Sequence, residues 1–209
     1  MMFSSKQLLE EMPLFLTHEY DKRLLLYGNL IQWTELEKLI NNRPFMSNKR
    51  FHCTKSGEFS WPNKSWLTDV NTYPPQAVEE MLKLGTCYLA DCSRVNKQIN
   101  ELCNMIESMV NAPTDAHIYF SQTKDDSFGR HNDKNANIII QQEGISHAKV
   151  WKDDQLIIDE ELTKGEMIFI PALCDHEIRP LTNRISVSFP IAFSHTDIQE
   201  RDWVKLCMN

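Results

Sequence analysis

No two of the six cysteines (Cys53, Cys87, Cys92, Cys103, Cys174, Cys207) form a CxxC pair, and their spacing makes no tight framework. That argues against a zinc knuckle or a disulfide-stapled secreted domain, and the expectation is reduced thiols in a cytoplasmic protein. The amino terminus, Met1-Met2-Phe3-Ser4-Ser5-Lys6-Gln7, lacks a long apolar core and a small-residue cleavage site. No stretch approaches the roughly 20 apolar residues that a spanning helix needs, so no membrane partner is expected. Internal repeats and low-complexity tracts are missing too. Basic side chains are in deficit, 22 against 29 acidic for a formal charge of -7, which makes nucleic acid an unlikely partner. What is present is apolar residues: 42% of 209 positions suffice for the core of one domain, with or without a helical extension.

The chain divides by its periodicity. Residues 1–113 read as a helical and irregular region packing on a core. Within it, Ser4 to Met12 is a short helix stopped by Pro13, and Leu24-Leu25-Leu26-Tyr27 is strand-like. Thr34 with Glu37 forms a capping box before Leu36, Leu39 and Ile40. Asn41 to Tyr73 is polar and aromatic and reads as irregular. A helix from Pro75 to Leu84 stops at Gly85, Thr86 to Ala90 is strand-like, and Ser93 caps a longer helix carrying Val95, Ile99, Leu102, Ile106, Met109 and Val110 on one stripe.

Beyond Pro113 the period becomes that of strands. His117 to Ser121, Asn137 to Gln142, Ala148 to Trp151, Gln155 to Ile158, Met167 to Ile170 and Ile185 to Ile191 follow one another between turns. Residues 114–193 are therefore expected to form a mainly β, antiparallel jelly roll in an α+β chain, with the preceding helices on one face. Thr196 and Gln199 cap a short helix within 194–209.

Chemistry concentrates where these strands begin. In Arg130-His131-Asn132-Asp133, His131 and Asp133 are two apart and project from one face of an extended chain. In Pro171-Ala172-Leu173-Cys174-Asp175-His176, a strand and a proline deliver a second histidine. Taken alone, a His-x-Asp pair is more often a surface turn. Two imidazoles and a carboxylate together form a facial triad with open positions, the set that suits non-haem Fe(II).

The order Gly165, Pro171, His176 resembles the second cupin motif, with Leu173 where that motif usually has glycine. His131-x-Asp133, Asn137 and Gly144 resemble the first, with aspartate in place of its second histidine. Over about residues 80 to 192, Gly85, Tyr119, His131, Asp133, Asn137, Gln141, Gly144 and Val150-Trp151 are similar to the JmjC and cupin-like 2-oxoglutarate oxygenases, which include ribosomal-protein hydroxylases. The resemblance implies a double-stranded β-helix holding Fe(II) through His131, Asp133 and His176, with 2-oxoglutarate as cosubstrate. It also implies hydroxylation of a protein side chain or a small amino-acid-like molecule.

The far carboxylate of the oxo acid needs a cation. JmjC-type enzymes usually place lysine or arginine two residues after the glycine matching Gly144, where this chain has Ser146. Lys149 fills the role if the loop before it holds an insertion. Arg184 with Ser186, on one strand face, resembles instead the Arg-x-Ser of prolyl-hydroxylase and plant-type oxygenases, and a guanidinium matches a carboxylate bidentately. Arg184 is the favoured candidate, and Asn137 is expected at the metal-bound end of the oxo acid. His18, His52, His117, His147 and His195 have no partner spacing and are expected to be structural or exposed. Trp61, Trp66 and Trp151 are expected to pack. The rival reading is a cupin that binds a metal or small ligand without oxidation. A third is a cupin isomerase, or a dioxygenase that does not use 2-oxoglutarate. The oligomeric state is left open.

Overall fold

In the computed structural model, the described residues are 29–42, 45–55, 58–59, 71–110, 112–122, 124 and 127–191. Among these residues, three helices, α1 (Trp33–Ile40), α2 (Pro75–Leu82) and α3 (Lys97–Val110), are interspersed with strands β1 (Phe51–Lys55), β2 (Glu58–Phe59) and β3 (Thr86–Leu89). Seven more strands follow: β4 (His117–Ser121), β5 (Ala136–Glu143), β6 (Ser146–Lys152), β7 (Gln155–Leu162), β8 (Met167–Ile170), β9 (Asp175–Pro180) and β10 (Arg184–Ile191). They form a seven-stranded sheet in the order β2-β1-β3-β4-β10-β5-β8 and a three-stranded sheet β7-β6-β9, with every neighbouring pair antiparallel. This is the expected antiparallel jelly roll, mainly β.

The pleat sorts residues between two cores. Along β10, Ile185, Val187, Phe189 and Ile191 join a cluster that includes Leu36 of α1, Val78 and Met81 of α2 and Ile99 and Ile106 of α3. Arg184, Ser186 and Ser188 point the other way and are buried all the same. Strands β4 and β5 divide likewise, with Ile118, Phe120 and Ile140 toward the helices and Tyr119, Asn137 and Ile139 inward. Between the two sheets, Ile139, Ala148, Val150, Ile158, Leu162, Ile168, Ile170 and Ile178 form a second apolar cluster. Each of its Val, Leu and Ile side chains contributes roughly 1.5–3 kcal/mol by burial. Polar side chains are left to line the space beside it.

Several elements depart from the sequence expectations. Phe51–Lys55 and Glu58–Phe59 lie in the span read as irregular, and β1 pairs with β3 from Phe51↔Leu89 to Thr86↔Thr54. The large sheet therefore runs across position 113, which was read as a boundary between an outer region and the core. The cap of α1 sits at Gln32, whose N–H donates to Glu35 Oε2 at 3.0 Å, not at Thr34. Asn96, not Ser93, caps α3: the Ile99 N–H donates to Asn96 Oδ1 at 2.9 Å. Strand β9 went unread because its outward residues Asp175, Glu177 and Arg179 are charged and it ends on a proline. The expected helix at Ser4 to Met12, the strand at Leu24 to Tyr27 and the C-terminal helix in 194–209 lie outside the described residues. No described helix is long and apolar enough to cross a membrane.

One turn is held by a glycine that nothing else can replace. Gly144, between β5 and β6, has φ +70°, and a Cβ there would run into the Asn183 carbonyl oxygen and the Thr182 hydroxyl. Both partners are anchored, the Thr182 hydroxyl by accepting the Ile145 N–H at 2.8 Å. Gly144→Ala is expected to destabilise the fold by on the order of 2–4 kcal/mol, combining left-handed strain with overpacking. A urea midpoint unchanged from wild type would contradict this.

Candidate metal and anion site

His131 and Asp133 leave the loop between β4 and β5, and His176 is the second residue of β9. The two segments meet as an isolated antiparallel bridge, with His131 N donating to His176 O at 3.0 Å and His176 N to His131 O at 2.7 Å. A bridge of this kind puts opposed side chains on one face, and the imidazole centroids are 4.3 Å apart. One ligand atom from each of His131, Asp133 and His176 lies within 4.8 Å of the other two.

The imidazoles are oriented for coordination. His131 Nδ1 lies 2.9 Å from Gly129 O, and His176 Nδ1 lies 3.1 Å from Cys174 O. A carbonyl only accepts, so each Nδ1 must be the protonated nitrogen, leaving the Nε2 lone pair for a metal. Burial, and then the neighbouring His131, push the pKa of His176 below its ordinary value, which keeps the ring neutral at pH 7. Asn137 Nδ2 donates to Asp133 Oδ2 at 2.9 Å, and Ser188 Oγ donates to Asn137 Oδ1 at 3.1 Å. That chain fixes which way the amide points and aims the carboxylate. Asn137 thus steadies a candidate ligand while also lining the cavity. Leu173, at the position of the motif's glycine, keeps glycine-like backbone with φ 64°, and its N–H donates to Asp133 O at 2.8 Å.

Beside the triad lies a narrow cavity of about 40 Å³ whose lining includes Tyr119, Ser127, Phe128, Ile139, Ile178, Arg184, Ser186 and Ser188. On its other side is a cleft of about 290 Å³ reached by Tyr88, His117, Lys134, Asn135 and Pro190. Tyr119, Phe128, His131, Asp133 and Asn137 line both, so the triad stands where they join. Tyr88 stacks on Tyr119 at 5.3 Å and on His52 at 4.7 Å, continuing an aromatic wall away from the triad.

Arg184 lies at the inner end, 1% exposed. Its Nη1 donates to Ser146 Oγ at 3.1 Å, Ser146 Oγ donates to Gln141 Oε1 at 2.9 Å, and Gln141 Nε2 donates to Glu143 O at 2.7 Å. The buried Nε has no partner, and among the described residues no carboxylate forms an ion pair with this guanidinium. Burial lowers its pKa to about 10, opposed by the Tyr119 hydroxyl, so the cation persists at neutral pH. An ionised group in such a place costs several kcal/mol unless an anion joins it. The orphaned donor and the charge both fit a ligand carboxylate.

Lys149 is elsewhere. On β6 the buried residues are Ser146, Ala148 and Val150, and Lys149 alternates with them, alongside His147 and Trp151, so it is not part of the cavity lining. Only Gly144 and Ile145 separate β5 from β6, and Ser146 itself accepts from Arg184. The candidates His131, Asp133, Asn137, His176, Arg184 and Ser186 come together; Lys149 does not. Sequence reasoning gave no site role to Ser127, Phe128 or Ser188, and cited Tyr119 only among the residues that carry the resemblance. Ser188 was within reach of the same two-residue period that joined Arg184 to Ser186. Among the histidines expected to be structural, His147 pairs with Asp159 at 2.5 Å, while His117 lines the outer cleft.

No family model and no curated protein matches the sequence. Among solved structures, the chain is similar to YcfD, a ribosomal oxygenase from Escherichia coli, with a TM-score of 0.56 and 21% identity over 79% of this chain and 44% of that one. The same protein in complex with cobalt and 2-oxoglutarate gives a TM-score of 0.55 and 20% identity over 79% and 45%. The chain thus spans less than half the length of these structures, and what it shares with them is the fold.

Proposed function

We propose that this chain is an Fe(II)- and 2-oxoglutarate-dependent dioxygenase that hydroxylates a carbon, on a protein side chain or on a small amino-acid-like molecule. The observation that carries the reading is the pairing of a His-Asp-His triad with a buried guanidinium whose Nε is unpartnered and which, among the described residues, meets no carboxylate. A metal site alone has no use for Arg184, and a non-oxidative cupin leaves its cost unexplained.

In this reading His131, Asp133 and His176 hold the ferrous ion, a donor set that suits iron and leaves positions open. Arg184 takes the far carboxylate of the oxo acid, with Ser186 and Tyr119 in the same lining. When bound, iron and oxo acid would supply the oxidative chemistry, in which one atom of dioxygen goes to 2-oxoglutarate as it loses CO2 to become succinate and the other becomes the substrate's hydroxyl. The protein's own part is placement. Ser188 and Asn137 hold the Asp133 carboxylate in one rotamer, the Gly129 and Cys174 carbonyls fix the imidazole tautomers, and Ile139 with Ile178 keeps water from the inner arm. The cleft at Tyr88, His117 and Lys134 is left for the substrate. A protein substrate finds support in the description of YcfD as a ribosomal oxygenase.

Anaerobic titration of the iron-loaded chain with 2-oxoglutarate is expected to raise a visible charge-transfer band, and admission of oxygen to release succinate. Iron binding without a band would turn the assignment toward the non-oxidative cupin or an oxygenase that does not use the oxo acid.

A further inference from the structure

The geometry points to Asp175 as a positioning residue that sets the register of the two histidines, a role resting on the metal reading above. Arg130 and Asn132 flank His131, and Asp175 precedes His176, so all three occupy the face of the bridge turned away from the triad. There a single carboxylate holds both flanks. Asp175 Oδ1 accepts from Asn132 Nδ2 at 2.9 Å, and Asp175 Oδ2 accepts from Arg130 Nε at 2.9 Å.

The segment carrying His131 needs such a tie because it is no regular strand. Its backbone is tied toward β9 by the two bonds of the His131–His176 bridge and by the one from Leu173 N to Asp133 O. A slip of one residue would turn one histidine to the opposite face, and the triad would cease to exist. Arg130 is itself braced, its guanidinium 4.6 Å above the Trp151 ring, and Trp151 is the cross-strand partner of Asp175. Its other ion pair, to Asp154 at 2.7 Å, ends on a carboxylate 92% exposed, where an ion pair contributes little. The anchor is therefore Asp175, and it acts on coordination only through the histidines.

Titration of the metal-free chain with Co(II), followed by its visible absorption, tests this. Asp175→Ala is expected to weaken Co(II) binding by roughly 10–100-fold and to alter the band shape, as loss of an outer partner does at other metal sites. Asp175→Asn, which keeps the shape and one acceptor oxygen, should recover part of that loss and carries the test if the alanine variant does not fold. Asp154→Ala should bind within twofold of wild type. A lowered melting temperature with unchanged Co(II) affinity in both Asp175 variants would overturn the role and leave Asp175 as a stabilising contact only. Failure of the wild-type chain to bind Co(II) at all would overturn the metal reading, and the register role with it.

Discussion

His176→Ala is expected to leave the β-fold standing while ferrous ion binding falls by more than the roughly 10–100-fold that losing an outer partner costs. The backbone of residue 176 makes the bridge to His131, and alanine keeps both of those hydrogen bonds. Only the imidazole goes, and with it one of three donors. Two remaining ligands cannot complete a facial set, so succinate release should drop to background. His147→Ala is the matched control, because that ring pairs with Asp159 on the outer face of the small sheet and touches no candidate ligand. Far-UV circular dichroism would establish that both variants fold, and metal titration would separate them. Retention of iron binding within tenfold by His176→Ala would show that the triad does not hold the ion.

The candidate triad was legible because its placement depends on local rules. Two residues apart on extended chain share a face, and that placed His131 with Asp133 and Arg184 with Ser186 before any fold was known. The same rule applied to β6 keeps Lys149 out of the cavity that Arg184 lines. Ser146, Ala148 and Val150 are buried together, so Lys149 must alternate outward, but this was hidden while the loop after Gly144 was of uncertain length. Where sequence misled, a distant contact decided. Thr34 with Glu37 satisfies the capping pattern as well as Gln32 with Glu35 does. The start of α1 is fixed instead by bonds to Leu30, two residues before the cap: Leu30 N donates to Gln142 Oε1 at 2.6 Å, and Asn96 Nδ2 donates to Leu30 O at 2.7 Å. Asn96 also caps α3, which ties the two helices to one loop. Strand β1 was unreadable for a similar reason, since Phe51 and Cys53 are buried by partners distant in the chain, Phe51 against Tyr73 and Phe120 and Cys53 beside the Met81 carbonyl.

Arg184→Met should move binding and stability in opposite directions. Loss of the guanidinium removes the group proposed to meet the far carboxylate of 2-oxoglutarate. Truncating one side of a desolvated charge pair costs roughly 2–5 kcal/mol, so affinity for the oxo acid should fall by more than about 30-fold. Metal binding should persist, because the interactions traced for Arg184 run to Ser146 and Tyr119 and not to the triad. Stability of the ligand-free chain is the discriminating measurement. As it stands, the fold carries a cation 1% exposed with one donor unpartnered, and a methionine of similar reach would relieve that cost and still fill the space. The expected result is a melting temperature equal to or above wild type without ligand, together with loss of the rise that added 2-oxoglutarate gives the wild-type protein. If Arg184 were only a buttress for Ser146 and Gln141, the same substitution would lower the melting temperature and leave the oxo-acid response in place. That pattern would remove the anion site from the proposed function while leaving the metal site untouched.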